Sequence, residues 1–344
     1  MLSKIKAFRL VACLWALLPA MVSAQGSADG SGSRVEQLRV HGPSLDGNLE
    51  GNDAVRDVLV YLPPSYAEET SRRYPVIYFL HGYTATAQAY ANLVQLQQSS
   101  DAAIAAGARE AIVVLPDAFT KFGGSMYSNS LTVGDWEGFI AKDLVAYIDD
   151  RYRTIADRSS RGLSGHSMGG YGTLRIGMKY PDVFSALYAM SSCCLLNEAP
   201  PREAIEAQIA DRGDAPAPEG GFANALSAQA AAWAPNPEKA PRYFDWPYED
   251  GEALPLVQAK WIANSPLVFV DQYVPSLRQY EAIALDIGDA DSLIENNRRL
   301  VAALGRLGIE HTFEVYEGDH INRVRARFGA DLWPFFSAHL TDEH

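Results

Sequence analysis

Apolar residues in this chain gather in short, nearly continuous runs, separated by longer stretches where they recur every three or four positions. Pro75 to Leu80 (PVIYFL) and Ala111 to Leu115 (AIVVL) have the length and density of strands buried on both faces. Asp57 to Leu62 (DVLVYL) reads as a strand that closes on Pro63-Pro64. Three more strand-like runs follow, at Ala186 to Ser191, Ala282 to Ile287 and Thr312 to Tyr316. Between them lie helical patterns, among them Asp135 to Tyr152, Met168 to Tyr180 and Ser292 to Leu307. Buried strands alternating with helices predict an α/β fold: a mostly parallel sheet with helices on both faces.

The rhythm breaks from Asn197 to about Pro266. Ten of the nineteen prolines fall between Pro200 and Pro266, together with Trp233, Trp246 and Trp261. A plain linker has no use for tryptophans, and strand signals are too sparse here for a second domain. The segment 197–266 is therefore expected to be a lid-like insertion within one α/β domain spanning 34–344.

The first residues follow a different logic. Lys4, Lys6 and Arg9 precede a short apolar stretch from Leu10 to Leu18, and Val22-Ser23-Ala24 supplies small residues. That is the pattern of a signal peptide over 1–24, and its apolar part is too short to span a bilayer. The polar Gly/Ser-rich stretch 25–33 predicts a flexible tether. These features predict an exported protein, periplasmic or secreted after cleavage near Ala24, with no membrane span in the mature chain.

Composition adds a constraint on partners. With 29 Lys+Arg against 42 Asp+Glu, the 344 residues carry a formal charge of −13, which becomes −16 once the three leader cations are removed. Such a surface does not suit nucleic acid or an anionic membrane, since neither has clustered cations to engage. A neutral small-molecule or saccharide-linked ligand suits it better. Of the three cysteines, Cys13 lies in the leader, leaving the adjacent Cys193 and Cys194. Two small core residues are the simpler expectation for this pair, and a strained vicinal disulfide is the alternative in an oxidising compartment.

The candidate chemistry centres on Gly165-His166-Ser167-Met168-Gly169, a G-x-S-x-G between the segment Ser160 to Ser164 and the helical pattern from Met168. A strand–turn–helix of this kind holds a serine in a sharp elbow, where glycines avoid collisions and a helix N-terminus favours developing negative charge. The serine needs a base. His320, in Gly318-Asp319-His320 just past the last strand, sits at the carboxyl edge of the sheet where ligands of α/β proteins collect. His311 begins a strand, and His339 and His344 belong to the terminal helix and tail. The orienting acid should follow the strand Ala282 to Ile287, and spacing alone leaves Asp289 and Asp291 both open. The backbone N–H groups of Met168 and Tyr83 are the expected oxyanion donors, with His81-Gly82 shaping the loop.

Val76 to Gly82 (VIYFLHG), Asp143 to Arg153 (DLVAYIDDRYR), Gly162 to Gly172 (GLSGHSMGGYG) and Tyr180 to Phe184 (YPDVF) together resemble the esterase D-like branch of the α/β-hydrolases. The resemblance covers roughly residues 53–340. It implies an α/β-hydrolase fold, and it selects Asp291, three residues after Gly288, as the acid beside Ser167 and His320. That branch includes S-formylglutathione hydrolases, feruloyl-type carbohydrate esterases and mycolyltransferases. The leader and the insertion depart from the first group, and an aspartate acid departs from the last. The loop Phe119 to Trp136 resembles the substrate-side loop of carbohydrate-linked esterases. Tyr127, Trp136, Trp233 and Trp246 are accordingly expected to contact an aromatic acyl group or sugar, alongside Tyr83.

The expectation is an exported serine carboxylic-ester hydrolase that works through an acyl-enzyme. An acyltransferase or a serine peptidase could use the same scaffold, and a non-catalytic binding protein would keep the fold without the chemistry. No Cys/His ligand cluster and no phosphate-binding glycine loop is present in the sequence, so no metal or organic cofactor is expected.

Overall fold

A computed structural model of the chain describes residues 32–217 and 220–342. The expected export signal at 1–24, the tether residues 25–31 and His344 lie outside the described residues.

Eight strands form the main sheet. They are β1 Arg34–His41, β2 Val55–Leu62, β3 Val76–Leu80, β4 Ile112–Pro116, β5 Arg161–His166, β6 Ala186–Met190, β7 Ala282–Gly288 and β8 Thr312–Tyr316. Their spatial order is β1-β2-β4-β3-β5-β6-β7-β8. β2 runs antiparallel to both β1 and β4, and every other pairing is parallel. This is the α/β-hydrolase architecture anticipated above.

Strand pleating divides the core between the two faces. Val58, Val60, Val76, Tyr78 and Leu80 join the apolar cluster on one face, while Leu59, Tyr61, Ile77 and Phe79 join the cluster on the other. Helices α1 Ala87–Val94 and α2 Leu96–Ala105 cover the second face, whereas α3 Val145–Arg151 covers the first. Helix α4, Met168–Lys179, also packs on the first face, directly after β5. Two glycines allow close approach, Gly162 on the second face and Gly177 on the first. A Cβ on Gly162 would stand 2.3 Å from the Phe336 ring, and one on Gly177 would stand 2.6 Å from Leu187.

The stretch 197–266 folds as helices α5 Arg202–Arg212, α6 Ala225–Trp233 and α7 Pro255–Ala263, with a two-residue hairpin pairing Tyr248–Glu249 with Glu252–Ala253. Its two ends are tied together. Asn197 N–H donates to Ser265 Oγ at 2.7 Å, and its side-chain amide donates to Asn264 O at 3.0 Å. The Tyr171 hydroxyl and the Arg175 guanidinium, both on α4, reach Asn264 at 2.9 and 2.8 Å. This segment is thus anchored on the helix that carries the elbow. After it come α8 Ile294–Arg306 and α9 Trp333–His339. No helix among the described residues is long and apolar enough to cross a membrane.

Candidate active site

Ser167 lies between β5 and α4 with φ +58° and ψ −113°, a backbone state that L-residues rarely adopt. The turn is held because nothing else fits. A Cβ on Gly165 would meet the Gly169 backbone at 2.5 Å, and one on Gly169 would meet Leu80 O at 2.0 Å. The Ser167 N–H donates to Met190 O at 2.9 Å, which fixes the elbow to the end of β6.

Two loops converge on it. The turn after β7 lies directly on the turn after β8, since a Cβ on Gly288 would come within 2.2 Å of Gly318 O. Ala290 N–H donates to Gly318 O at 2.9 Å, and Gly318 N–H donates to Asp289 Oδ1 at 3.0 Å. Asp319 Oδ1 accepts the N–H groups of Ile321 and Asn322, each at 2.8 Å. This Asx-type turn presents His320. His320 Nε2 stands 2.9 Å from Ser167 Oγ, and His320 Nδ1 stands 2.7 Å from Asp291 Oδ2.

The carboxylate of Asp291 is buried, whereas the imidazole keeps 29% of its surface exposed. Burial works to raise the Asp291 pKa. The His320 ring and the Leu293 N–H, at 2.9 Å from Oδ1, outweigh that effect and hold the carboxyl below its usual range. An ionised carboxylate only accepts, so Nδ1 must donate to it. The Nε2 lone pair then faces the serine hydroxyl, the tautomer a general base requires. Asp289, the other candidate acid, is turned to the Gly318 amide instead. His311 sits at the far end of β8 beside Ile309 O, and the His339 ring lies tilted against Phe335.

A second histidine braces the first. His166 is fully buried, with its ring 4.7 Å from that of His320. Its Nε2 is 2.8 Å from His320 O and its Nδ1 is 2.6 Å from the Tyr90 hydroxyl. A carbonyl only accepts, so Nε2–H donates to His320 O and the phenol donates to Nδ1. Burial, aided by the charge of His320, pushes the His166 pKa down to about 3. Tyr90 also lies against the loop after β3, where a Cβ on Gly82 would be 2.4 Å from the Tyr90 hydroxyl. Neither Tyr90 nor this use of His166 was anticipated from sequence. The only available signal was the histidine inside the pentapeptide.

The loop His81-Gly82-Tyr83 abuts Ser167, with a Gly82 Cβ only 3.4 Å from Ser167 Cβ. His81 ties this loop to the one after β4 by accepting the Ala118 N–H on Nε2 at 2.8 Å, and burial lowers its pKa. Met168 is the first residue of α4, so its N–H has no carbonyl within that helix to bond.

A cavity of about 480 Å³ opens beside Ser167 and His320. Tyr83, Phe222, Trp233 and Trp261 give it an aromatic wall, and Cys193 and Cys194 line it near the serine. Trp233 and Trp261 meet edge to face at 5.5 Å, and Phe222 meets Tyr83 at 5.6 Å. Of the expected substrate contacts, Tyr83 and Trp233 lie here. Tyr127, Trp136 and Trp246 are corrected to core positions. Tyr127 is wholly buried with its hydroxyl on His81 O at 3.2 Å. Trp136 packs on Phe139 and donates to Val133 O at 2.9 Å. Trp246 packs on Phe244. Apolar faces that looked available for ligand are spent on interior packing.

A family model described as "Putative esterase" matches residues 53–344. The chain belongs to this esterase family. It is 32% identical over 170 residues to an esterase of Mycobacterium tuberculosis (strain ATCC 25618 / H37Rv), a match covering 47% of this chain and 35% of that protein. It is 28% identical over 183 residues to an endo-1,4-beta-xylanase/feruloyl esterase of Xylanibacter ruminicola, covering 50% of this chain and 24% of that protein. The chain thus spans about a third or less of the length of these curated relatives. Among solved structures, a ferulic acid esterase superposes with a TM-score of 0.65 at 23% identity, covering 90% of this chain and 99% of that one.

Proposed function

We propose that this family member is a serine esterase that hydrolyses a carboxylic ester through an acyl-enzyme. The observation that carries the reading is the continuous hydrogen-bonded line from Ser167 Oγ through His320 to Asp291, at 2.9 and 2.7 Å. In this reading His320 Nε2 takes the serine proton as Oγ attacks the ester carbonyl. Asp291 holds the imidazole and stabilises the imidazolium that forms. The Met168 and Tyr83 N–H groups receive the oxyanion, and His320 returns the proton to the leaving alkoxide. Water activated by the same histidine then releases the acid.

The aromatic wall of the cavity favours an aromatic or other apolar acyl group, in keeping with the feruloyl esterase names among the relatives and structural neighbours. In this reading residues 1–24 are an export signal, 197–266 act as a lid over the cavity, and the enzyme works outside the cytoplasm on a small or saccharide-linked ester.

Rapid mixing with p-nitrophenyl acetate tests the mechanism. A burst of nitrophenol equal to the enzyme present, with an acetyl group on the Ser167 peptide, is expected. Turnover with no label on that peptide would sink it. A panel of feruloyl, acetyl and longer acyl esters then tests the substrate class, and a preference for acetyl over feruloyl would remove the aromatic reading.

A further inference from the structure

Successive residues in extended chain point their side chains to opposite sides. Cys193 and Cys194 do not, because both line the cavity beside Ser167. The cause is the backbone of Cys194, whose φ of +58° turns its side chain back toward that of its neighbour. Both thiols are free and half-buried, so they are open to a small reagent entering the cavity. The adjacent Cys194 side chain, together with burial, holds the Cys193 thiol well above the usual thiol range.

The segment is held on both sides. Cys193 N–H donates to Ser167 O at 3.2 Å, Asn297 donates to Ser192 O at 2.9 Å, and Leu195 O accepts the Leu267 N–H at 3.0 Å. A change in the dithiol is thereby passed to the elbow on one side and to the root of the insertion on the other.

From this arrangement we infer that Cys193 and Cys194 form a thiol modification site in the wall of the cavity, which closes reversibly to a vicinal disulfide and reshapes the cavity next to Ser167. The oxidant is a small organic disulfide. One cysteine thiolate attacks it, forming a mixed disulfide and releasing one small thiol. The neighbouring thiol gives up its proton and attacks the cysteine sulfur of that bond, expelling the second small thiol and leaving the Cys193–Cys194 bond. Two cysteine thiols are oxidised and one disulfide is reduced to two thiols. Adjacent Cα atoms stand about 3.8 Å apart, below the roughly 4.4–6.8 Å usual for disulfides, so the bridge is strained and readily reduced again.

The test is incubation of the full chain carrying Cys13→Ser with 2-hydroxyethyl disulfide, followed by intact mass, peptide mapping and ester hydrolysis. The expected result is loss of two hydrogens with no adduct, both cysteines linked within one peptide, and a fall of roughly threefold or more in kcat/KM that dithiothreitol reverses. Cys194→Ser should show no loss of two hydrogens and at most a single mixed-disulfide adduct on Cys193. An unchanged mass, a persistent mixed-disulfide adduct, or a closed bridge with unaltered kcat/KM would overturn the inference. The mass readout does not depend on the esterase reading, so failure of one is distinguishable from failure of the other.

Discussion

His166 Nε2 donates to the backbone carbonyl of His320 at 2.8 Å, so the histidine next to Ser167 holds the loop that carries the candidate base. The same ring is braced by the Tyr90 hydroxyl at 2.6 Å. His166→Leu keeps the site apolar and removes the donor, and should lower kcat by about ten- to a hundredfold with little change in KM, because small misplacements of a reacting group are costly. His166→Gln, whose amide can restore a donor, should recover most of that loss. Equal losses in both variants, or a loss confined to KM, would dismiss the bracing role.

The histidine also predicts a pH effect. Its folded pKa lies near 3 against an ordinary value of 6.5, so the unfolded chain binds a proton there that the native chain refuses. Stability from this group is therefore complete above about pH 6.5 and falls as pH drops toward 3, by about 1.4 kcal/mol per pH unit. Urea unfolding of the parent and of His166→Gln should show the gap between them shifting with this slope and sign. Parallel curves across the window would refute the buried neutral state.

Asp289 and Asp291 occupy one turn but face different partners, the Gly318 amide and His320. Asp291→Asn is expected to cost about 10⁴-fold in kcat, since the amide favours the wrong imidazole tautomer. Asp289→Asn should cost less than about tenfold, through its turn alone. Reversed magnitudes would move the acid to Asp289.

Phe222 is 75% exposed and meets Tyr83 at the cavity rim. Phe222→Ala should raise KM for aromatic acyl esters several-fold relative to acetyl esters, while surface substitutions of this kind move stability by only about 0.5 kcal/mol. Equal KM changes for both ester types would remove it from the acyl side.

Much of this was legible because two periodicities dominate the chain. The buried runs at β3, β4, β6 and β7 stand out by density, and the G-x-S-x-G sits where a strand gives way to a helix. β1 escaped notice because it is an edge strand whose RVEQLRVH alternates polar and apolar positions, most of them exposed or half-buried. The wall of the cavity was harder to foresee. Trp233 and Trp246 lie in the same Pro-rich stretch, yet one faces the cavity and the other packs on Phe244, a difference set by the path of the insertion. Tyr90 gave no signal either, since its role exists only where α1 passes beneath both Gly82 and His166.

The central claim is that Ser167 is the nucleophile, and the most direct measurement is hydrolysis of p-nitrophenyl acetate by Ser167→Ala. The account predicts a fall in kcat of about 10⁴-fold or more, with folding and thermal stability close to the parent. Hydrolysis at the parental rate by the folded variant would contradict it.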